Sequence, residues 1–400
     1  MDPARAESPT AAPPPVTPPS LEGIRVLVLT SGHEVLDGRV HAREARSLQR
    51  LGADITIVGQ WTRGDLDEVR VLPVSPDHSR LSRFLWKPWR CLWAARRENP
   101  DIVHFHDAEM LATLPVARLL WPGARFVYDV HEDFGNLMMI RDWFPAPLKP
   151  TVRTLTNLGE RTLARLAHGI VAVTPPLQRK FSALRGTVAY NFSTAEFFEE
   201  AALRVRAAAE RRFDLVHLGT LSRRRAEFLS EVLRDFHARK PKARSLVLGA
   251  DERAFEGISL PAGCEVKGKV PFASVPGYLG DAKVGIDVHP WLTPHLLPAL
   301  AVKVCEYMAS GCAVVASAMP VLDEVLRGSK LVPESVFRIE GGKPADYADG
   351  VVRMLKEIDS GADPGARNRE FAIESMAWNR EADKIACLYL ELLGKSPCAS

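Results

Sequence analysis

The 400-residue sequence lacks several features that assign proteins to common classes. No apolar run approaches the ~20 residues of a membrane-spanning helix, and the N-terminus has no apolar segment of signal-peptide length. The six cysteines form no Cys-x-x-Cys pair, which argues against a zinc site and a disulfide framework. The 52 basic and 49 acidic residues nearly balance, so the charge does not indicate nucleic acid as a partner. These absences favour a protein of the reducing cytoplasm.

Motifs of nucleotide and hydrolase chemistry are also missing. The first apolar strand, 24–30, is not followed by Gly-x-Gly-x-x-Gly, which argues against a nicotinamide dehydrogenase. The sequence has no Walker loop and no Gly-x-Ser-x-Gly elbow, which weakens the case for a nucleotide triphosphatase or a serine hydrolase. A functional site must therefore be predicted from the layout of strands and loops.

The sequence contains a repeated alternation of short apolar strands and helices. Strands such as 24–30 and 125–130 are mostly apolar, which is typical of parallel strands buried on both faces. A second series begins after a Glu- and Arg-rich stretch. The pattern predicts an α/β fold with two tandem Rossmann-like, doubly wound domains that face one cleft. The predicted divisions are a disordered Pro-rich tail at 1–22, a first domain at 23–195, a linker at 196–212, a second domain at 213–375 and a C-terminal helix at 376–400.

Ligands of doubly wound sheets bind beyond the carboxyl ends of the strands. In the first domain this rule selects the loops at 31–39, 104–107 and 129–133. In the second domain it selects 219–225, 249–251 and 289–303. The first-domain candidates are Gly32, Arg39, His106, Asp107 and Glu132.

The loop from Gly219 to Arg225 joins a strand to a helix and carries three consecutive arginines. Backbone amides at such a helix N-terminus favour an anion before any side chain is counted. We interpret the loop as a phosphate site that includes Gly219, Thr220, Arg223 and Arg225. The alternative is a solvated charge run, and only one or two of the arginines have room to point inward.

The segment 303–317 predicts a short helix that Gly311 ends and a small apolar strand follows. Lys303 and Glu306 lie three residues apart and therefore share one face of this helix. A cation and a carboxylate in this arrangement suit the phosphate and the vicinal hydroxyls of one ligand.

His131 follows a buried strand and precedes Glu132, a position that suits hydrogen bonding or proton handling in the cleft. A lone histidine is more often structural, and that alternative stays open. His104 is expected to point into the sheet, which leaves His106 and Asp107 as the better candidates. The cluster lacks the i, i+4 spacing of common zinc sites, so we expect no metal.

The segment 83–97 interleaves Trp86, Trp89 and Trp93 with basic residues, and Pro88 suits the first turn of a helix. Such a helix suits the headgroup region of an anionic membrane, so a peripheral contact on the inner face of the membrane is one expectation. The alternative is that the tryptophans pack on the sheet, because any helix that covers a sheet has an apolar face.

Together these motifs resemble the large retaining glycosyltransferase family 4, which has the two-domain GT-B architecture. The resemblance covers roughly residues 24–395. The segments that carry it are 37–40 (DGRV), 100–107 (PDIVHFHD), 127–132 (VYDVHE), 189–191 (AYN), 217–222 (HLGTLS), 268–271 (GKVP), 306–311 (EYMASG) and 378–381 (WNRE).

The resemblance implies transfer of a sugar from a UDP- or GDP-linked donor to a hydroxyl of a glycan or a lipid-linked acceptor, with no metal and no separate cofactor. It implies that Glu306 binds the ribose hydroxyls, that Arg225 and Arg223 contact the diphosphate, and that His131 lies near the transferred sugar. The first-domain candidates then lie on the acceptor side. The C-terminal helix is expected to cross back to the first domain.

One departure from the family pattern concerns the donor site. Many members carry two glutamates eight residues apart, but the residue eight before Glu306 is Pro298. No lysine follows Arg225 at the usual short distance, and we expect Lys303 to supply this diphosphate cation and to take part in catalysis. The departure leaves open a catalytically silent GT-B protein that binds a nucleotide sugar, and a nucleotide-sugar epimerase.

Overall fold

The computed structural model describes residues 18–61, 69–77, 79–141, 145–327 and 335–396. Most of the predicted disordered tail, residues 1–17, lies outside this part of the chain. Its last residues are described, and Leu21 among them is buried and donates a backbone hydrogen bond to Leu51. Packing of the first domain therefore begins inside the segment for which proline content predicted disorder.

Seven parallel strands form the sheet of the first domain. They are β1 (Arg25–Glu34), β2 (Asp54–Gln60), β3 (Arg70–Val74), β4 (Ile102–Phe105), β5 (Arg125–Val130), β6 (Gly169–Ala172) and β7 (Gly186–Val188). Their order across the sheet is β3-β2-β1-β4-β5-β6-β7. All residues of the central strand β4 are buried, because helices cover both faces of the sheet.

The helices of the first domain form two layers. They are α1 (Arg46–Arg50), α2 (Arg80–Leu85), α3 (Lys87–Ala95), α4 (Leu114–Leu120), α5 (Phe134–Met139), α6 (Lys149–Ala164) and α7 (Pro175–Arg179). Helices α3, α4 and α6 share one hydrophobic core with the sheet, through residues such as Leu92, Ala117 and Ala164. Leu48 of α1 belongs to the core on the opposite face.

Six parallel strands form the sheet of the second domain. They are β8 (Phe213–Leu218), β9 (Ser245–Leu248), β10 (Cys264–Lys267), β11 (Ala282–Asp287), β12 (Ala313–Ser317) and β13 (Val336–Ile339), in the order β10-β9-β8-β11-β12-β13. The helices around it are α8 (Ala195–Arg204), α9 (Arg223–Arg239), α10 (Val275–Gly280), α11 (Val302–Ala309), α12 (Pro320–Leu326), α13 (Pro344–Asp359) and α14 (Pro364–Ser375). The two doubly wound parallel sheets confirm the predicted fold class.

The last helix, α15 (Trp378–Leu392), crosses back to the first domain, as predicted. Its side chains Ile385 and Tyr389 lie in the same core as α1. The buried Trp378 donates its indole N–H to the carbonyl of Arg43, at 2.9 Å, and lies 3.0 Å from Ser47 Oγ. The segment predicted as a linker, 196–212, is mostly helix α8, which packs on the second domain.

The segment after β1 and its loop is an irregular helix. A π-helical turn, Val40–Ala45, precedes the short helix α1. The Trp378 indole donates a hydrogen bond to the carbonyl of Arg43 inside this turn. A side-chain donor that inserts into the ladder of helical hydrogen bonds is a known cause of such a bulge. Because the donor comes from the far end of the chain, no local pattern predicts it.

Candidate functional site

The second-domain half of the site is centred on Lys303, in the first turn of α11. Its Nζ lies 3.4 Å from Asp287 Oδ1, at the end of β11, and 3.5 Å from His217 Nε2, near the end of β8. Burial lowers the pKa of Lys303, and Asp287 acts against that shift. Burial also acts to raise the pKa of Asp287, but Lys303 and His289 outweigh it and hold the pKa well below its usual range. The result is a buried lysine–carboxylate pair at the carboxyl edge of the sheet.

Tyr307 fixes α11 in this position. Its hydroxyl accepts from the amide of Leu218 at 2.7 Å and donates to the carbonyl of Ile286 at 3.0 Å, so it bridges the ends of β8 and β11. Gly285 makes room for the ring, because a Cβ there would lie 2.3 Å from it. Lys303, one turn earlier on the same helix, is therefore held beside the strand ends.

The loop after β8 contributes one arginine to this cluster. Arg225 Nε donates to the carbonyl of Val288 at 3.2 Å, and its Nη2 is buried with no hydrogen-bond partner. Gly219 has φ +107°, and the side chain of Lys303 passes beside it. Thr220 is exposed. The structure thus brings Gly219, Arg225 and Lys303 together and leaves Thr220 at the rim.

The other two arginines of the run point away from this cluster. Arg223 forms an exposed ion pair with Glu227 at 2.9 Å. The guanidinium of Arg224 lies over the ring of Trp291, 3.8 Å from its centroid. Of the three arginines, Arg225 alone is held beside Lys303.

Glu306, one turn after Lys303, places a buried carboxyl group in the cleft. Burial raises the pKa of Glu306, and Arg43 of the first domain and Lys303 oppose that shift. Arg43 donates to the carbonyls of Gly38 (3.0 Å) and Phe192 (2.8 Å), while its Nη2 is buried without a hydrogen-bond partner. Arg43, a residue of the first domain with an unpartnered Nη2, therefore acts electrostatically on Glu306 of the second domain.

On the first domain, Asp107 organises the loop after β1. Its Oδ2 accepts from Thr30 Oγ1 (2.7 Å) and from the amides of Ser31 (2.8 Å) and Gly32 (2.9 Å). A Cβ on Gly32 would lie 2.3 Å from Asp107 Oδ1, so this close approach requires glycine. His33 Nδ1 lies 3.0 Å from the same oxygen, and although burial opposes it, Asp107 raises the pKa of His33 to about 9.

Arg39 is buried and connects the loops of the first domain. It makes two hydrogen bonds to Asp129, at 2.9 and 3.1 Å, and lies 2.9 Å from Glu44. It also donates to the carbonyl of Ala189 at 3.1 Å and to Asn191 Oδ1 at 2.6 Å. Arg39 therefore uses its donors within the protein.

A line of imidazoles connects the cleft with these buried carboxylates. His131 Nε2 lies 3.0 Å from His106 Nδ1, and His106 Nε2 lies 3.2 Å from Glu44 Oε2. Burial lowers the pKa of His131, which keeps this side chain neutral. Burial also acts to lower the pKa of His106, but Glu44 outweighs it and raises the pKa. His104 lies on the same side of the strand as His106, with their ring centroids 4.6 Å apart, and its Nδ1 lies 2.5 Å from the hydroxyl of Tyr389 in α15. The expectation that His104 points away from His106 into the sheet is therefore wrong.

Four of these side chains, Glu44, His104, His106 and Asp129, have ligand atoms within 4.8 Å of one another. Imidazoles and carboxylates are ligands that transition metals accept. However, Arg39 Nε already lies 2.9 Å from an oxygen of each carboxylate. Its charge offsets that of the carboxylates, and Glu44, although burial opposes it, raises the pKa of His106, which favours a second cation beside them. The residues therefore fit a closed network of ion pairs better than a metal ion.

A cavity of about 520 Å³ lies over this network, between the domains. Its lining comes mainly from the first domain, and Val302 of α11 contributes from the second. Both charge signs occur on its walls, as Arg83, Arg141 and Glu109 show. The predicted residues on its walls are Arg39, His106, Asp107, His131 and Glu132.

Sequence analysis missed Asp287 and Arg43. Asp287 is the last residue of β11, so the rule of strand ends could have included it. Arg43 lies within the π-helical turn, and no motif or strand end indicates it.

The tryptophans of the segment 83–97 do not pack on the sheet. Trp86 and Trp93 are 65% and 60% exposed, whereas Cys91 and Leu92 form the buried side of α3. The alternative that placed the tryptophans against the sheet is therefore wrong for these two side chains. Among the described helices, none combines the length and the apolar content needed to cross a bilayer.

Comparison with known families assigns both halves of the chain. Residues 38–192 match the family described as Glycosyltransferase Family 4, and residues 212–357 match Glycosyl transferases group 1. No curated protein sequence matches the chain. The two matched segments together span most of the sequence. The first contains six of the seven strands of the first sheet, β2 to β7, and the second contains all six strands of the second sheet.

Solved structures show the same arrangement of domains at low sequence identity. Sucrose-phosphate synthase from Thermosynechococcus elongatus is 14% identical, with a TM-score of 0.67 over 93% of this chain and 100% of that chain. HepE from Anabaena, solved in complex with UDP-glucose, is 14% identical, with a TM-score of 0.64 over 91% of this chain and 98% of that chain. A trehalose 6-phosphate synthase from Burkholderia multivorans is 12% identical, with a TM-score of 0.60 over 93% of this chain and 96% of that chain. The chain is therefore a glycosyltransferase of the GT-B fold, with a family 4 first domain and a group 1 second domain.

Proposed function

We propose that the second domain binds a UDP- or GDP-linked sugar and that the enzyme transfers this sugar to an acceptor hydroxyl at the first domain. The observation that carries the proposal is the cluster of Lys303 and Arg225 beside Gly219, one helical turn from Glu306. Two cations next to a glycine loop suit a diphosphate, and a carboxylate one turn away suits the vicinal hydroxyls of ribose. The UDP-glucose complex of Anabaena HepE supports this class of donor.

The proposed reaction breaks the bond between the anomeric carbon and the diphosphate. The acceptor oxygen forms the new bond to that carbon, and the proton of the acceptor hydroxyl passes to a phosphate oxygen of the leaving nucleoside diphosphate. Negative charge develops on the leaving diphosphate, where Lys303 and the free Nη2 of Arg225 stabilise it. Asp287 holds Lys303 in place beforehand, so little reorganisation is needed. Because these cations supply the required positive charge, we propose a reaction without a metal. We also propose retention of the anomeric configuration, as in the family that the sequence resembles.

His131 is proposed to hydrogen-bond the transferred sugar. His106, protonated beside Glu44, donates to His131 Nε2 and leaves the proton of the neutral His131 ring on Nδ1. That nitrogen is then a donor for a sugar hydroxyl. His106 acts through His131 in this proposal and is a positioning residue.

The acceptor is proposed to be a glycan or a lipid-linked molecule that the enzyme meets at the inner face of the membrane. The exposed Trp86 and Trp93, together with the basic residues of the segment 83–97, support a contact with anionic lipid. Arg83 of this segment also lines the cavity on the acceptor side.

Donor binding and donor hydrolysis test the proposal. A panel of UDP- and GDP-linked sugars is screened by thermal shift, because a ligand that binds only the native state raises its melting temperature. Release of the nucleoside diphosphate from the stabilising donor is then measured for Lys303→Ala and Glu306→Ala. The matched control is Lys283→Ala, which removes a lysine that pairs with Asp214 at 2.8 Å near the start of β11.

We expect the wild type and Lys283→Ala to release nucleoside diphosphate, and both site variants to lose most of this activity. Binding without any release would indicate the catalytically silent protein, and an isomerised donor without release would indicate the epimerase. Near-normal kinetics of Lys303→Ala would remove the proposed role of this lysine. Product configuration, read by NMR, tests retention.

A further inference from the structure

One helical layer of the first domain differs from the rest of the surface. Helices α3, α4 and α6 cover the same face of the seven-stranded sheet and share one hydrophobic core with it. Their outer sides therefore face in the same general direction, away from the sheet. The exposed Trp86 lies at the start of α3 and belongs to this layer.

The layer concentrates exposed apolar side chains. Of the seventeen large apolar side chains that are exposed among the described residues, six lie in these three helices or at the N-cap of α3: Trp86, Trp89, Trp93, Leu119, Leu155 and Leu158. Leu119 of α4 is 81% exposed, and Leu155 and Leu158 of α6 are 63% and 62% exposed. Large exposed apolar side chains that are grouped on one helical layer are typical of an interaction site.

The same helices carry charge of one sign. Glu160 is the acidic residue of α6, and it is buried 2.6 Å from Lys180; α3 and α4 contain no acidic residue. The outer surface is therefore cationic as well as apolar. The basic residues in or directly after these helices, apart from the buried Lys87 and from Arg90, which pairs with Asp77, are Arg96, Arg97, Arg118, Lys149, Arg153, Arg161 and Arg165.

We propose that the outer sides of α3, α4 and α6 form one surface that docks on a bilayer containing anionic lipids. This inference extends the contact proposed for the segment 83–97 to two further helices. Leucines and tryptophans enter the boundary of the acyl chains, while the arginines remain at the level of the phosphates. A second copy of the chain is a poorer occupant, because a two-fold interface would bring the same cations face to face.

The surface borders the cavity on the acceptor side. Arg83 and Phe84 of α2, next to Trp86, line that cavity, and the ring of Phe84 lies 6.5 Å from that of Phe134 at the start of α5. Docking would therefore bring the cavity to the membrane surface, where a lipid-borne acceptor is presented. This last step rests on the proposed transfer reaction, whereas docking itself does not.

Flotation of the full-length protein with vesicles tests the docking surface. The vesicles contain either phosphatidylcholine alone or phosphatidylcholine with phosphatidylglycerol. The variant Leu155→Ser/Leu158→Ser removes exposed apolar side chains of α6 without touching the core. The matched control, Leu203→Ser/Ile373→Ser, changes exposed apolar side chains outside the layer. Donor binding by thermal shift and the oligomeric mass are measured for every variant.

We expect the wild type and the control to float with the anionic vesicles at low salt and to be released at ~1 M salt, where the Debye length falls to about 3 Å. The α6 variant should lose most of this association while its donor binding is unchanged. Arg153→Glu should lower the partition coefficient by about fivefold or more, as expected for an arginine near an anionic surface.

Three results would overturn the proposal. The first is that the wild type does not float. The second is that the α6 variant floats as well as the wild type. The third is that the wild type is a dimer and that the substitutions of the α6 variant dissociate it. Loss of flotation on replacing Trp86 and Trp89 with no loss in the α6 variant would restrict the contact to 83–97. Because flotation does not depend on catalysis, its failure is distinguishable from failure of the transferase proposal.

Discussion

Replacing Arg39 by methionine should destabilise the protein and weaken the loss of its stability at acidic pH. Methionine keeps most of the length of the side chain but removes the charge that lies 2.9 Å from both Asp129 and Glu44. Breaking a buried ion pair by removing one partner costs about 3–5 kcal/mol, since a buried charge is left uncompensated. We expect Arg39→Met to lose that much free energy of unfolding at neutral pH.

The sign of the pH effect follows from Glu44. Burial alone would raise its pKa, but Arg39 and then His106 lower it from 4.5 to about 2. Because the pKa of Glu44 is lower in the folded state than in the unfolded state, this carboxylate stabilises the folded wild type by about 3 kcal/mol at neutral pH. That stabilisation is lost as the pH falls from the pKa of the unfolded state towards the pKa of the folded state. Without Arg39, His106 still opposes burial, so the pKa of Glu44 moves up towards its ordinary value. The variant should therefore lose less stability than the wild type as the pH falls into the acidic range.

Urea unfolding at several pH values, followed by tryptophan fluorescence, measures both effects. The matched control is Arg239→Met, which removes an arginine of an exposed pair with Asp349 and should cost about 0–1 kcal/mol at any of these pH values. A variant profile that runs parallel to the wild-type profile would refute the role assigned to Arg39, as would a loss below about 1 kcal/mol.

Three further predictions concern single contacts. Trp378→Phe keeps an aromatic ring but leaves a buried carbonyl of the first domain without its indole donor, so urea unfolding should show a loss of about 1–3 kcal/mol. Gly285→Ala places a Cβ 2.3 Å from the ring of Tyr307, and overpacking of this kind should cost about 1–3 kcal/mol in a thermal melt. Asp107→Asn should lower the pKa of His33 from about 9 to its ordinary value or below, as read by NMR titration of the imidazole; an unchanged value would contradict the pairing.

The fold was predictable because short apolar strands alternate with helices along both halves of the chain. Parallel strands are buried on both faces, so each strand is a short apolar run that can be recognised in the local sequence. The extent of β1 was less predictable. It runs past the predicted end at Thr30 to Glu34, which pairs with Gln60 after a shift in register.

The candidate site was predictable where a residue directly follows a strand or lies on a short helix. Asp107 and His131 follow strands, and Lys303 and Glu306 share one face of α11. Partners that come from distant segments were not predictable. Asp287 acts on Lys303 through the pairing of β8 with β11 and the packing of α11 against both.

The sequence also could not predict which of the three arginines at 223–225 faces the cleft. The three arginines of the run 223–225 occupy consecutive positions of one helical turn, so periodicity gives their relative angles but not which angle faces the cleft. The packing of α9 on the sheet decides this, and it turns Arg225 towards the carbonyl of Val288.

The return of α15 to the first domain has a consequence for the order in which the protein is made. The core on one face of the first sheet includes Trp378, Ile385 and Tyr389, which are translated after the entire second domain. While the ribosome synthesises the second domain, the first sheet lacks part of its cover and exposes apolar surface. The first domain is thus begun first and completed late, and synthesis of α15, rather than of the first half of the chain, is the step that closes its core.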